Sequence, residues 1–325
     1  MGFMEPKALV MRNPPWALWL TVPLGLLRYT SARLLWTLFL VISLWLSAEL
    51  LWRIYGTSPG PRWAALLLTF CFAPTVACLS AGQISPIVLL GLTLFLYLHA
   101  RHEFWAGFSL SIAAFKPQVA FLFWVVLLLW AVQCRKWRLI AGTILGIAFA
   151  TAIALFLDPR VLTHYRSMML AESIGTQFIP TFGGFLRQLF GPPWLQIAPA
   201  IAGLCWSFGY YYQHRQRWNW KQSLPVLVLL SLLTTPYAWL GDEVVILIAL
   251  IGAAAAIRRP GRAVELGIPF AAVNVAIVSM LVVGVRVNGP YYIWSSWIWV
   301  ILFFAATAHR GFPTSIHLSK APETT

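Results

Sequence analysis

Three short polar corners stand out in an otherwise apolar chain: Gly82-Gln83, Lys116-Pro117-Gln118, and the run Thr234-Thr235-Pro236-Tyr237-Ala238-Trp239-Leu240-Gly241-Asp242-Glu243. Each joins two apolar segments. Between Gln83 and Lys116 the segments 84–98 and 105–115 reach only about 22 Å and about 16 Å as helices, short of a hydrocarbon core of roughly 30 Å. Helices that stop short leave polar groups at membrane depth, which is tolerated only where protein or a wet cavity surrounds them. A lysine in that position is a functional-site candidate, because its charge must be met by water, a carboxylate or a ligand phosphate. The rival is a lysine that snorkels from a helix end into the headgroups. With Asp and Glu numbering only 9, Asp242 and Glu243 beside Tyr237 and Trp239 are the carboxylates to weigh. A solvated pair in a turn fits them equally well. Neighbours in sequence point in different directions on a helix, so a matched acid–base pair is not expected.

The elements that position these corners follow from composition. Hydrophobic residues make up 60% of the 325, charged residues 10%, and the mean hydropathy is +0.77. This balance excludes a soluble domain and fits a polytopic membrane protein. A net charge of +14 would point to nucleic acid in a soluble chain. Here the basic residues sit in short clusters between apolar runs, so orientation in the membrane accounts for them and no nucleic acid is expected. The 4 Cys have no metal-ligand spacing and read as small core residues. The 18 Trp and 10 Tyr suit both interfacial belts and sugar-stacking platforms.

Taken in order, Asn13-Pro14-Pro15 opens an irregular apolar piece over 13–28, with Pro23 inside it, that reads as a juxtamembrane helix. Apolar segments follow at 34–52, 64–80, 84–98, 105–115, 118–133, 139–157, 195–212, 223–239, 244–257, 264–285 and 291–308, which is about eleven crossings. One set of loops holds Arg53, Arg62, Arg101, Arg135, Lys136, Arg138, Arg215, Arg217, Lys221, Arg258, Arg259, Arg262, Arg310 and Lys320. Those loops, and the tail 309–325, are expected in the cytoplasm. Gln83, Lys116, the 236–243 corner and the long loop 158–193 then face the other side. That loop, with Tyr165, Arg166, Arg187 and Gln188, reads as a rim over a cavity. A single polytopic domain over 1–325 is expected.

No P-loop, GxGxxG, HExxH or nucleophile elbow occurs. The residues instead carry a resemblance. Gly82-Gln83 after a span, Ala106-Gly107 opening the next helix, Ala113-Ala114-Phe115-Lys116-Pro117-Gln118 and the following Arg135-Lys136-Trp137-Arg138 resemble glycosyltransferase family 87. Asn13-Pro14-Pro15 and Thr234-Thr235-Pro236-Tyr237-Ala238-Trp239 resemble two further corners of that family. The likeness spans roughly residues 10–255 in order.

The resemblance implies an all-α integral-membrane enzyme of GT-C type in a bacterial inner membrane. It is similar to mannosyltransferases that move a hexose from a polyprenyl-phosphate-sugar donor to an extracytoplasmic glycolipid or glycan acceptor. No cofactor is expected, and no residue is assigned as a metal ligand. Lys116 would meet the donor phosphate, with Arg12 or Arg286 as second cations. Gln83 and Gln118 would bond phosphate or sugar hydroxyls, and Tyr237 and Trp239 would face the sugar ring. Enzymes of this type carry a catalytic Asp in a loop after their first helix, and this sequence begins near the end of that loop. An N-terminally truncated GT-C chain of low activity is therefore expected, with Asp242 as the first candidate acid. A transporter or lipid carrier using the same cavity is the competing class.

Overall fold

A computed structural model describes residues 13–56, 62–171, 178–257, 260–287 and 289–308. The chain is 84% helix without strands among the described residues. In order these are α1 Leu18–Thr21, α2 Tyr29–Tyr55, α3 Trp63–Phe70, α4 Ala73–Ser80, α5 Ser85–Leu98, α6 Glu103–Ala113, α7 Phe121–Gln133, α8 Trp137–Leu157, α9 Val161–Ala171, α10 Phe182–Phe190, α11 Ala198–His214, α12 Trp220–Thr234, α13 Leu247–Ala256, α14 Pro260–Val282 and α15 Ile293–Thr307. A helix occupies each apolar segment read from the sequence. Three are long and apolar enough to cross a bilayer alone: α2, α8 and α14. A fourth crossing forms if α3 and α4, bent by 60° at their break, act as one. Others, such as α5 and α12, are shorter apolar helices.

Burial sorts the helices into an inner and an outer group. Helices α5, α12 and α13 are buried almost all round, as expected for apolar helices in a core. Trp220 at the start of α12 anchors that core edge-on against Phe95 of α5 at 5.2 Å, Phe123 of α7 at 5.5 Å and Trp130 of α7 at 5.4 Å. By contrast α8 and α14 leave Ile144, Phe156, Val264 and Val275 exposed. Such apolar faces are stable only against lipid or another apolar surface. Of the cysteines, only Cys78 joins the core; Cys71, Cys134 and Cys205 are exposed. The reading of all four as core residues is corrected to that extent.

Small residues bring α6 and α8 together. A Cβ added at Gly107 would lie 2.0 Å from the Leu139 carbonyl oxygen, and one at Gly142 2.1 Å from that of Phe104. With Gly146 and Ala150 continuing the stripe, the two backbones touch as in close-packed membrane helices. The break between α3 and α4 exposes backbone donors, and the buried Asn274 on α14 answers one: its Oδ1 accepts the Ala73 N–H at 2.5 Å.

Polar contacts gather at the two ends of the bundle. At one end the Tyr55 hydroxyl donates to the Lys221 carbonyl at 3.0 Å, Lys136 pairs with Glu103, and Arg262 donates to the Ala305 carbonyl. At the other, Trp36 Nε1 donates to the Gly82 carbonyl at 2.8 Å and Trp16 Nε1 to that of Ala114 at 2.9 Å. The piece read as a juxtamembrane helix is irregular, with 3-10 turns at Pro15–Ala17 and Val22–Leu26 flanking α1. The segment read as a long loop over 158–193 is instead mostly helical, holding α9 and α10, with 172–177 outside the described residues. The tail 309–325 and Arg258–Arg259 also lie outside them.

Candidate functional site

Helix α4 ends in a reversal that only glycine makes without strain. Gly82 adopts φ +64, and the Gln83 N–H reaches back to the Cys78 carbonyl at 3.0 Å. This turn sends Gln83 toward the 3-10 helix Leu240–Ile246, where Gly241 makes room: a Cβ there would lie 2.5 Å from Gln83 Oε1. That oxygen is buried and meets no donor among the described residues. Buried acceptors are rarely left so, and a hydroxyl or amide donor from a ligand would satisfy it.

Lys116 is the N-cap of the 3-10 turn Pro117–Ala120, just past the end of α6. It is 7% exposed, which removes the snorkelling alternative. Its Nζ lies 2.6 Å from Asp242 Oδ1 and donates to Ser85 Oγ at 3.2 Å. Ser85 Oγ in turn donates to the same carboxylate oxygen at 2.6 Å. The other oxygen, Oδ2, accepts the Trp239 N–H at 2.9 Å and so caps the 3-10 helix. Two of the three Lys116 N–H donors are therefore used within the protein.

Asp242 is 0% exposed, so the solvated-pair reading fails. Its oxygens hold three donors. In this structure Asp242 is the counter-ion of Lys116. Glu243 is equally enclosed: Oε1 accepts from Ser295 and Ser296 at 2.6 Å each, and Oε2 accepts Trp299 Nε1 at 2.9 Å. Adjacent carboxylates thus turn opposite ways, Asp242 toward α5 and α6 and Glu243 toward α15. Ser85, Ser295 and Ser296 escaped sequence reasoning because small hydroxyls within apolar helices carry no local signal, and Trp299 because it is one of 18 Trp.

Tyr237 and Trp239 stand at 88° with ring centroids 6.1 Å apart, joined by Trp239 Nε1 donating to the Tyr237 hydroxyl at 2.9 Å. Both are half-buried. Gln196 ties this corner to α10: its Nε2 donates to the Pro236 carbonyl at 2.9 Å and its Oε1 accepts from Arg187 at 2.6 Å. Trp239, Glu243, Tyr292, Ser296 and Trp297 line a crevice of ≈ 20 Å³, room for about one water rather than a sugar. Lys116 and Gln83 are not part of that lining. Gln118 is half-buried beside Lys116 in the 3-10 turn. Arg286 is exposed after α14 and not paired with this cluster. Arg12 lies outside the described residues.

Residues 12–284 match the model of Glycosyltransferase family 87. The chain belongs to this family. That membership carries a general expectation of a membrane glycosyltransferase with donor, acceptor and lipid as its partners. No curated protein and no solved structure matches the chain.

Proposed function

We propose that this glycosyltransferase family 87 protein transfers a hexose from a polyprenyl-phosphate-sugar donor to a glycolipid or glycan acceptor outside the cytoplasm. The observation that carries this reading is the buried Lys116–Ser85–Asp242 cluster, formed by three corners distant in sequence. A departing lipid phosphate needs positive charge held in place before it leaves. Lys116 offers its remaining N–H, and Asp242 holds the ammonium in place. Gln83 and Gln118 supply amides beside it, and the crossed rings of Tyr237 and Trp239 give the sugar an apolar face. In this reading the molecule crosses the membrane about eleven times, a count supported by its apolar segments and basic loops, with Lys116 toward the outer side.

The test uses membranes containing the protein and a radiolabelled polyprenyl-phosphate hexose. Lys116→Met and Gln83→Leu are each expected to lower transfer by about 10²–10³, the usual cost of removing one preorganised donor. Both variants need a melting curve beside the rate, since Lys116→Met also strands Asp242. Wild-type rates from a folded Gln83→Leu and a folded Lys116→Met, or no transfer from any such donor by the wild type, would overturn the proposal.

A further inference from the structure

At the end of the bundle away from Lys116, α7 stops in a left-handed turn occupied by an arginine. Arg135 has φ 54, the only non-glycine residue with positive φ among those described. The Lys136 N–H closes the turn on the Ala131 carbonyl at 2.7 Å. Glycine is the residue that fits such a turn without strain, so an arginine here costs backbone energy. Strain of this kind is kept where a side chain has work at that point.

The surroundings indicate what that work is. Arg101, Arg135 and Arg138 line a pocket of ≈ 670 Å³. Its single carboxylate, Glu103, is already taken by Lys136. None of the three arginines has a carboxylate partner among the described residues. Trp105 and Trp137, each 58% exposed, stand at the same pocket, as interfacial aromatics do. His102 and Trp105 also line a second cavity of ≈ 610 Å³, apolar, that runs along α6 between α5 and α8 to Trp19. A basic mouth thus opens into an apolar groove.

We propose that this end of the bundle binds an anionic phospholipid of the bilayer, with its phosphate among Arg101, Arg135 and Arg138 and one acyl chain in the groove. Arginine forks suit phosphate oxygens. The site is separate from the Lys116 cluster and independent of the reaction proposed there.

The purified protein would be loaded from vesicles of dioleoylphosphatidylglycerol or dioleoylphosphatidylcholine, and retained lipid counted by native mass spectrometry. Retention of phosphatidylglycerol over phosphatidylcholine is expected. Arg135→Gly should weaken that retention about fivefold while leaving the melting temperature unchanged or raised, because glycine relieves the turn. Phe108→Trp, which narrows the groove, should weaken it with the arginines intact. Equal retention of the two lipids, an Arg135→Gly variant that binds like the wild type, preference for a polyprenyl phosphate, or release of the lipid by inorganic phosphate would each overturn the assignment.

Discussion

Lys116 and Asp242 neutralise one another where neither would be stable alone. Removing one partner of a buried pair leaves an uncompensated charge and costs about 3–5 kcal/mol, whereas replacing both by apolar residues is often neutral. Asp242→Asn should therefore lower the melting temperature sharply. The double variant Lys116→Met, Asp242→Leu should recover most of it without recovering sugar transfer. A double variant as unstable as the single one would mean that the hydrogen bonds to Ser85 and Trp239, not the ion pair, hold the corner. At this scale the sequence marked Lys116, Gln83 and the acidic pair, because charges and amides are rare against so apolar a background. It did not disclose that Asp242 is sealed or that Glu243 turns to Ser295, Ser296 and Trp299. Those facts depend on residues some 50 or more positions away, and no local pattern encodes them.

Among elements, the apolar segments were legible nearly to their ends, since each long hydrophobic run must become a helix to satisfy its backbone in lipid. The breaks between them were less so. Asn274 lies in the middle of α14 and looks like an isolated polar blemish in sequence, yet it accepts the first free N–H of α4 from 201 residues away. Asn274→Leu removes that acceptor and strands a buried donor, with an expected cost of about 1–3 kcal/mol. Equal melting temperatures for wild type and Asn274→Leu would show that the bend at Cys71-Phe72 is satisfied some other way. The stretch 158–193 was misread as loop because its polar, aromatic and glycine residues mask helices as short as α9 and α10.

For the whole molecule, the two ends of the bundle collect different chemistry. Tyr55, Glu103, Lys136, Lys221 and Arg262 make their contacts at one end, and Gly82, Ser85, Lys116, Gln196 and Glu243 at the other. In the orientation proposed from the basic loops, the first end faces the cytoplasm. Reporter fusions at residues 136 and 260 are both expected to read cytoplasmic, and opposite signs for the two would require one crossing fewer or more between them.

The ion pair also has a history in time. Lys116 and Asp242 are 126 residues apart. At a synthesis rate of about 5–20 residues per second, the lysine waits about 6–25 s before its carboxylate is even made. Throughout that wait the nascent α6–α7 hairpin carries an ammonium that lipid will not accept. Its final position is therefore a late event, reached only when the α12–α13 corner arrives. Chains halted before residue 242 should be cleared quickly by quality-control proteases, and Lys116→Met should lengthen their half-life in a pulse–chase. If both halted chains decay alike, the lysine has found another shelter, and the order in which this protein closes is set elsewhere.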